Sequence, residues 1–236
     1  MAAAARLILL PGLASDATMW RDQLAVLPQR YRPLVSDVHS RCDSIAAMAA
    51  TLLAELDGDL VLCGASMGGI VAMETVRQAP QRIRGMALLG ANASPETEDM
   101  RALRETAIEM FAQGRVEEVL KTNLPLAFHP SRAQDTTLLA SYLGFVLQAG
   151  AAQLIRQNRA IMTRPDARSH LASVRCPVLV MCGDSDQLTP PDCSRQIARL
   201  IPRSELLLIE QCGHMLTMER PDEVNAALLG WLARTV

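Results

Sequence analysis

Short apolar runs recur along the chain, and most run straight into Gly, Pro or Asp. They are Leu7–Leu10, Pro33–Val35, Leu60–Cys63, Met86–Leu89, Val178–Cys182 and Leu206–Ile209. They show little apolar–polar alternation, which predicts strands buried on both faces of a parallel sheet. Between them the spacing turns helical. Apolar positions 20, 24 and 27 predict a helix over Trp20–Leu27. Positions 45, 48, 49, 52, 53 and 56 predict one over Ile45–Leu56, opened by Ser44 as N-cap. A further helix over Ile70–Val76 stops before Pro80, and Val224–Leu232 carries apolar residues on one face. Strand and helix in alternation predict an α/β architecture with right-handed crossovers.

The alternation breaks between residues 92 and 173. Here the pattern is helical only, over Met100–Phe111, Val116–Leu120, Thr137–Leu147 and Ala152–Met162, with Gly114, Pro125, Pro130 and Gly150 as separators. The expected organisation is one core made of residues 1–91 and 174–236, with an all-helical lid, 92–173, inserted between two strands. A length of 236 residues suits one such domain.

Composition narrows the function. Only 3% of residues are aromatic, which argues against binding nucleic acid or sugar on stacked rings. A formal net charge of −2 gives no general attraction to phosphate backbones or anionic membranes, so the expected partner is a small molecule. The alanine-rich start lacks a basic region, and Arg6 interrupts its apolar part, so it does not read as a signal peptide. No uninterrupted apolar run approaches the roughly 20 residues of a membrane span. The expected location is the cytoplasm. The six cysteines form no C-x-x-C pair and no metal-ligand spacing; Cys63 and Cys182 lie in strand-like runs and read as buried thiols. No metal and no cofactor is implied.

The chemistry starts at Gly64-Ala65-Ser66-Met67-Gly68-Gly69, between an apolar run and a helix. A serine on a tight strand-to-helix turn takes a strained backbone conformation, and small residues two positions either side avoid collisions. The turn lifts the hydroxyl to the carboxyl end of the sheet, where open α/β folds bind ligands. The helix aims its first amides at the same place, so the Met67 N–H can hold a developing oxyanion. The competing reading of the motif is a plain Gly-rich connector; its position between strand and helix favours a nucleophile.

A serine nucleophile needs a base. Among His39, His129, His170 and His214, the last follows the final apolar run on a loop at the same edge. His129 lies in the helical insertion, where it can face a pocket, while His39 and His170 read as surface residues. The third member should be a carboxylate ending another strand, before the histidine in chain order. Val178–Cys182 ends in Gly183-Asp184-Ser185-Asp186, and spacing alone does not choose between the two aspartates; one can be catalytic while the other hydrogen-bonds the turn. Pro11-Gly12-Leu13 follows the first strand, and its glycine allows close backbone approach, so the Leu13 N–H is the candidate second oxyanion donor.

With serine, acid and histidine in this order, the chain resembles the α/β-hydrolase superfamily over almost its whole length. It looks most like small lidded serine esterases and lactonases such as pimeloyl-ester carboxylesterases and enol-lactonases. The resemblance implies a mostly parallel sheet of about six strands. It implies a catalytic acid three residues after the glycine ending the penultimate strand, which is Asp186. It also implies oxyanion amides on Leu13 and Met67, and matches Trp20 to a common aromatic of the first helix. Two departures stand out. Members usually carry His-Gly in the first oxyanion loop, where this chain has Pro11-Gly12. Members often carry Asp-x-x-Gly-x-Gly-x-Ser after the second strand; here Asp37–Ser44 lacks both glycines.

The activity expected is hydrolysis of small or medium acyl esters through an acyl-enzyme on Ser66, His214 and Asp186. Lactone, thioester or carbon–carbon bond hydrolysis fits the same residues, as does a non-catalytic ligand receptor on this scaffold. A metallohydrolase fits poorly. Phe128, Tyr142 and Phe145 in the insertion are candidate walls of an acyl pocket, and packing among lid helices explains them equally well.

Overall fold

The computed structural model describes residues 5–235. Residues 1–4, most of the alanine-rich start weighed above as a leader, lie outside that range. Six strands form one sheet: β1 (Arg6–Leu10), β2 (Leu34–Val35), β3 (Leu60–Ala65), β4 (Ile83–Leu89), β5 (Val178–Gly183) and β6 (Ser204–Ile209). Their order is β2-β1-β3-β4-β5-β6, every neighbouring pair is parallel, and each strand covers one of the apolar runs. The register sets Leu10 beside Gly64, Ala65 beside Leu89 and Gly183 beside Ile209. The loops after these strands therefore open at one edge. The chain runs from β1 outward to β2 and then back past β1 to β3, so the strand order reverses between β1 and β3. A crevice forms at such a reversal.

Alternate strand residues feed two cores, as the two-residue period of a strand requires. Leu7, Leu9, Val61, Cys63, Leu89 and Met181 face one way, toward helices Arg21–Val26 and Pro221–Thr235 and their buried Val224, Leu228 and Trp231. Ile8, Leu10, Leu62, Met86, Leu88 and Val180 face the other way, toward helices Ile45–Glu55, Met67–Gln78 and Pro191–Leu200. Ser44 caps its helix as expected, its side chain accepting from the Ala47 amide at 3.1 Å. Trp20 is wholly buried.

The structure corrects some local expectations. β6 is the outer strand, so it is not buried on both faces, and Leu206 and Leu207 are exposed. His39 is no surface residue: it is 5% exposed on the short helix Val38–Arg41, and its Nε2 lies 2.7 Å from the Ser15 carbonyl oxygen. His170 is half-buried, with Nε2 3.1 Å from the Met73 carbonyl oxygen. Helix Pro191–Leu200 went unread because it is largely polar, burying only Ser194 and Ile197.

Between β4 and β5 the described chain is helical: Glu98–Ala112, Val116–Ala127, Thr136–Met162 and the short Arg168–Leu171. Pro125 does not end its helix, which continues to Ala127. A proline this close to the C-terminus removes one hydrogen bond without breaking a long run. Thr136–Met162 has the length and hydropathy of a membrane span, but Gly150 interrupts it at φ 73° and ψ 168°. Each half is then shorter than the roughly 20 residues that a bilayer demands. Buried Glu96 ties the base of this region together, accepting from Arg104 at 2.7 Å and Arg164 at 2.6 Å.

Candidate active site

Ser66 stands between β3 and helix Met67–Gln78 with φ 51° and ψ −117°, a conformation that costs a non-glycine residue energy. Its neighbours leave no room for relaxation. A Cβ at Gly64 would come within 2.3 Å of the Gly68 carbonyl oxygen, and one at Gly68 within 2.0 Å of that of Leu10. The helix thus starts hard against β1 and β3, and the Ser66 amide donates to the Leu89 carbonyl at 2.8 Å. Met67 N–H is the first amide of the helix and has no acceptor one turn back.

Asp186 and His214 meet directly, with His214 Nδ1 2.8 Å from Asp186 Oδ2. The carboxylate is 3% exposed and its other oxygen is fully engaged: Oδ1 accepts the Leu188 amide at 2.9 Å and the Thr189 amide at 2.8 Å. Burial works against this charge, but His214 and the Thr189 amide and hydroxyl outweigh it, so its pKa lies below the ordinary 3.8. Because Oδ2 can only accept, it holds the proton of a neutral His214 on Nδ1 and leaves Nε2 as the basic nitrogen. Gly90, following β4, borders this pair: a Cβ there would come 3.2 Å from Asp186 Oδ2 and 3.3 Å from the imidazole. Since Leu89 binds the Ser66 amide, the end of β4 connects the serine turn to the Asp–His pair.

Asp184 plays the other part that the sequence left open. Its Oδ2 accepts the Gln211 amide at 3.0 Å, and its Oδ1 the Cys212 amide at 3.3 Å, so it pins the loop leading to His214. The opposite side of that loop is held by buried Glu219, whose carboxylate accepts the Gly213 amide at 3.0 Å and the His129 amide at 2.8 Å. Burial raises the Glu219 pKa above the ordinary 4.5 although those amides pull the other way. The His214 amide also donates to the Ala127 carbonyl at 3.0 Å, so the histidine loop rests on the helical region.

Leu13 follows β1 in the loop facing the serine; a Cβ at Gly12 would lie 3.4 Å from Ser66 Cβ. In this loop Gly12 N–H points to Met19 Sδ at 3.4 Å, Ala14 N–H donates to Gln157 Oε1 at 2.7 Å, and Ser15 N–H to the Gly12 carbonyl at 3.2 Å. Among the described residues nothing accepts from the Leu13 amide. Phe128 and Tyr142 pack edge to face at 5.2 Å, as do Tyr142 and Phe145 at 5.4 Å, and both phenylalanines are buried. Phe145 also lines a cavity of about 330 Å³ beside Pro11, Ala14 and Ser15, while Phe128 and Tyr142 do not. His129 spends its Nδ1 on Ser131, 2.7 Å from its hydroxyl. Among the described residues no three His, Cys, Asp or Glu side chains are grouped to hold a metal ion.

Thr189, Glu219 and Gln157 were not singled out from the sequence. Thr189 left a local signal: amides two and three residues after an aspartate turn back onto its side chain. Gln157 acts only across long stretches of chain, and Glu219 joins nearby Gly213 to distant His129; neither left a readable pattern.

A family model for the alpha/beta hydrolase family matches residues 7–227. The chain belongs to this family. Relatives of this α/β hydrolase include the protein named "Putative carbamate hydrolase RutD" of Serratia proteamaculans, 27% identical over 97% of this chain and 91% of the relative. Another is the pimeloyl-[acyl-carrier protein] methyl ester esterase of Nitrosomonas europaea, 25% identical over 92% and 91%. Among solved structures, a thermophilic esterase from Thermogutta terrifontis matches with TM-score 0.88 and 25% identity over 100% of this chain and 92% of that one. These relatives are hydrolases, and a hydrolytic role follows for this chain.

Proposed function

We propose that the protein is a serine hydrolase acting on carboxylic esters of small or medium acyl groups. The observation that carries this is the buried 2.8 Å bond between Asp186 and His214, at the end of the strand whose Leu89 carbonyl binds the amide of a serine in a strained strand-to-helix turn. In this reading Ser66 Oγ attacks the acyl carbonyl while His214 Nε2 takes its proton. Asp186 stabilises the imidazolium, and the Leu13 and Met67 amides bind the oxyanion. His214 then gives the proton to the leaving alkoxide; water, deprotonated by the same nitrogen, attacks the acyl carbonyl, and that proton passes to Ser66 Oγ as the acid departs. Residues 92–173 act as a lid whose Phe145 faces the acyl chain. No cofactor enters the reaction, and the enzyme works in the cytoplasm.

A second reading, carbamate hydrolysis on the same residues, is favoured by the 27% identity to the RutD relative. A fluorophosphonate probe with a panel of nitrophenyl esters and carbamates tests both. The probe should label Ser66, and Ser66→Ala should lose labelling and turnover while melting like the parent. Turnover that survives in Ser66→Ala refutes the nucleophile; a wild type that binds esters without cleaving them makes the protein a receptor. Preference for carbamates over esters selects the second reading.

A further inference from the structure

The loop that carries Leu13 is held from outside, by the helical region. Gln157 lies in the second half of helix Thr136–Met162 and is wholly buried. Its Oε1 accepts the Ala14 amide at 2.7 Å and its Nε2 donates to the His39 carbonyl at 3.0 Å. His39 closes the figure by donating from Nε2 to the Ser15 carbonyl at 2.7 Å. That bond requires the proton on Nε2, and burial lowers the His39 pKa, so the ring is neutral here.

Ala14 needs this support. It sits at φ 57°, in the left-handed region that a side chain disfavours. The turn that strains it also directs the preceding amides. With Gly12, Ala14 and Ser15 amides all committed to partners, the Leu13 amide is the one left to face the serine turn. A methyl-bearing residue keeps such a conformation only where surrounding bonds over-determine it. The bond from Gln157 is the one that reaches Ala14 itself.

We infer that Gln157 is a positioning residue for the oxyanion site, locking the Ala14 turn so that the Leu13 amide points at the reacting carbonyl oxygen. The inference rests on the serine-hydrolase reading above. It gives a hydrogen-bonding residue of the helical region a part in acyl transfer, acting on the Pro11-Gly12-Leu13 loop. A donor displaced from the oxyanion costs rate and not ground-state binding, because the carbonyl oxygen gains charge only at the transition state.

The test uses the full chain and three variants. In Gln157→Leu both bonds are lost, and kcat on a nitrophenyl ester should fall on the order of 10²-fold with KM within about twofold. Affinity for a trifluoromethyl ketone, whose hemiketal oxyanion fills the same site, should fall in parallel. Gln157→Glu carries the finer readout. Protonated, it accepts from Ala14 and donates to His39 as the amide does; ionised, it loses the donor and buries a charge. Its kcat relative to wild type should therefore decline as pH rises, which the leucine variant should not show. A Gln157→Leu enzyme with wild-type kcat, or one losing only KM, overturns the inference while leaving the hydrolase intact. If Gln157→Leu does not fold, a pH-independent ratio for Gln157→Glu overturns it alone. Ser66→Ala, run alongside, tells the two failures apart: turnover surviving there sinks the serine-hydrolase reading itself.

Discussion

Replacing Asp186 with asparagine preserves shape, removes a charge and turns one acceptor oxygen, which faces His214 and the Thr189 hydroxyl, into a donor. Oδ1 accepts two amides, at 2.9 and 2.8 Å, so the asparagine carbonyl is held in that place. Its NH₂ group must then take the Oδ2 position, 2.8 Å from His214 Nδ1. An NH₂ group only donates, so Nδ1 must be bare and the imidazole proton moves to Nε2, the nitrogen that should receive the serine proton. The base is lost without disturbing the loop. Such a tautomer reversal costs about 10⁴-fold in turnover, or about 5.5 kcal/mol of barrier. The loss of stability should be smaller, below about 3 kcal/mol, because charged hydrogen bonds become neutral ones and both amides keep their acceptor. Asp184→Asn gives the contrast. That exposed side chain holds the Gln211 and Cys212 amides, and asparagine retains one acceptor oxygen, so turnover should stay within about tenfold. Steady-state hydrolysis of a nitrophenyl ester, with melting curves for both variants, measures all of this. A larger loss in Asp184→Asn than in Asp186→Asn refutes the assignment, as does near-native turnover in Asp186→Asn.

The remaining predictions concern the lid and pH. Phe145→Ala should shift the preferred acyl length in a graded ester series, since Phe145 lines the cavity beside Ala14, by roughly 1–3 kcal/mol of discrimination per methylene. Phe128→Ala and Tyr142→Ala should instead lower the melting temperature and keep the ester ranking; an unchanged ranking in all three variants puts the acyl pocket elsewhere. Glu219, with its pKa raised by burial, keeps a proton in the folded chain that the unfolded chain has released. Stability should therefore fall as pH rises from the ordinary 4.5 through the raised value, and Glu219→Gln should flatten that fall in denaturant titrations across this range. Asp186 has the opposite sign: its lowered pKa contributes stability above 3.8 that disappears as the solution is acidified below it.

The four inner strands were legible because a parallel strand buried on two faces writes a continuous apolar run; the edge strands β2 and β6 carry apolar runs although they are only partly buried. Ser66 was legible because its geometry needs small neighbours next to it in the chain. Spacing alone did not choose between Asp184 and Asp186, and only the family resemblance pointed to Asp186, since both lie on one short loop and the partners across space differ: His214 for one, the Gln211 and Cys212 amides for the other. His39 was misread for the same reason. In the mostly polar stretch Ser36–Arg41 it looks solvated, yet it donates to Ser15 beneath the helical region. Gln157 bonds to Ala14, 143 positions away, and Glu219 reaches His129, 90 positions away, as well as nearby Gly213; the long-range bonds have no local pattern at all.

The break at Gly150 divides the long helix into parts that evolution and engineering can treat differently. The stretch after it carries Gln157 and Asn158, whose side chains bind the Ala14 turn and Arg104. The stretch before it carries Tyr142 and Phe145, and the preceding helix reaches the His214 loop through backbone atoms of Ala127 and His129. Backbone groups are the same for every residue but proline, which lacks the N–H. Residues between about 116 and 149 can thus be exchanged wholesale for those of another family member, recasting selectivity, whereas a transplant extending past Gly150 would carry off a bond on which the rate depends. The natural seam for chimaeras lies at that glycine and not at the ends of the helical region.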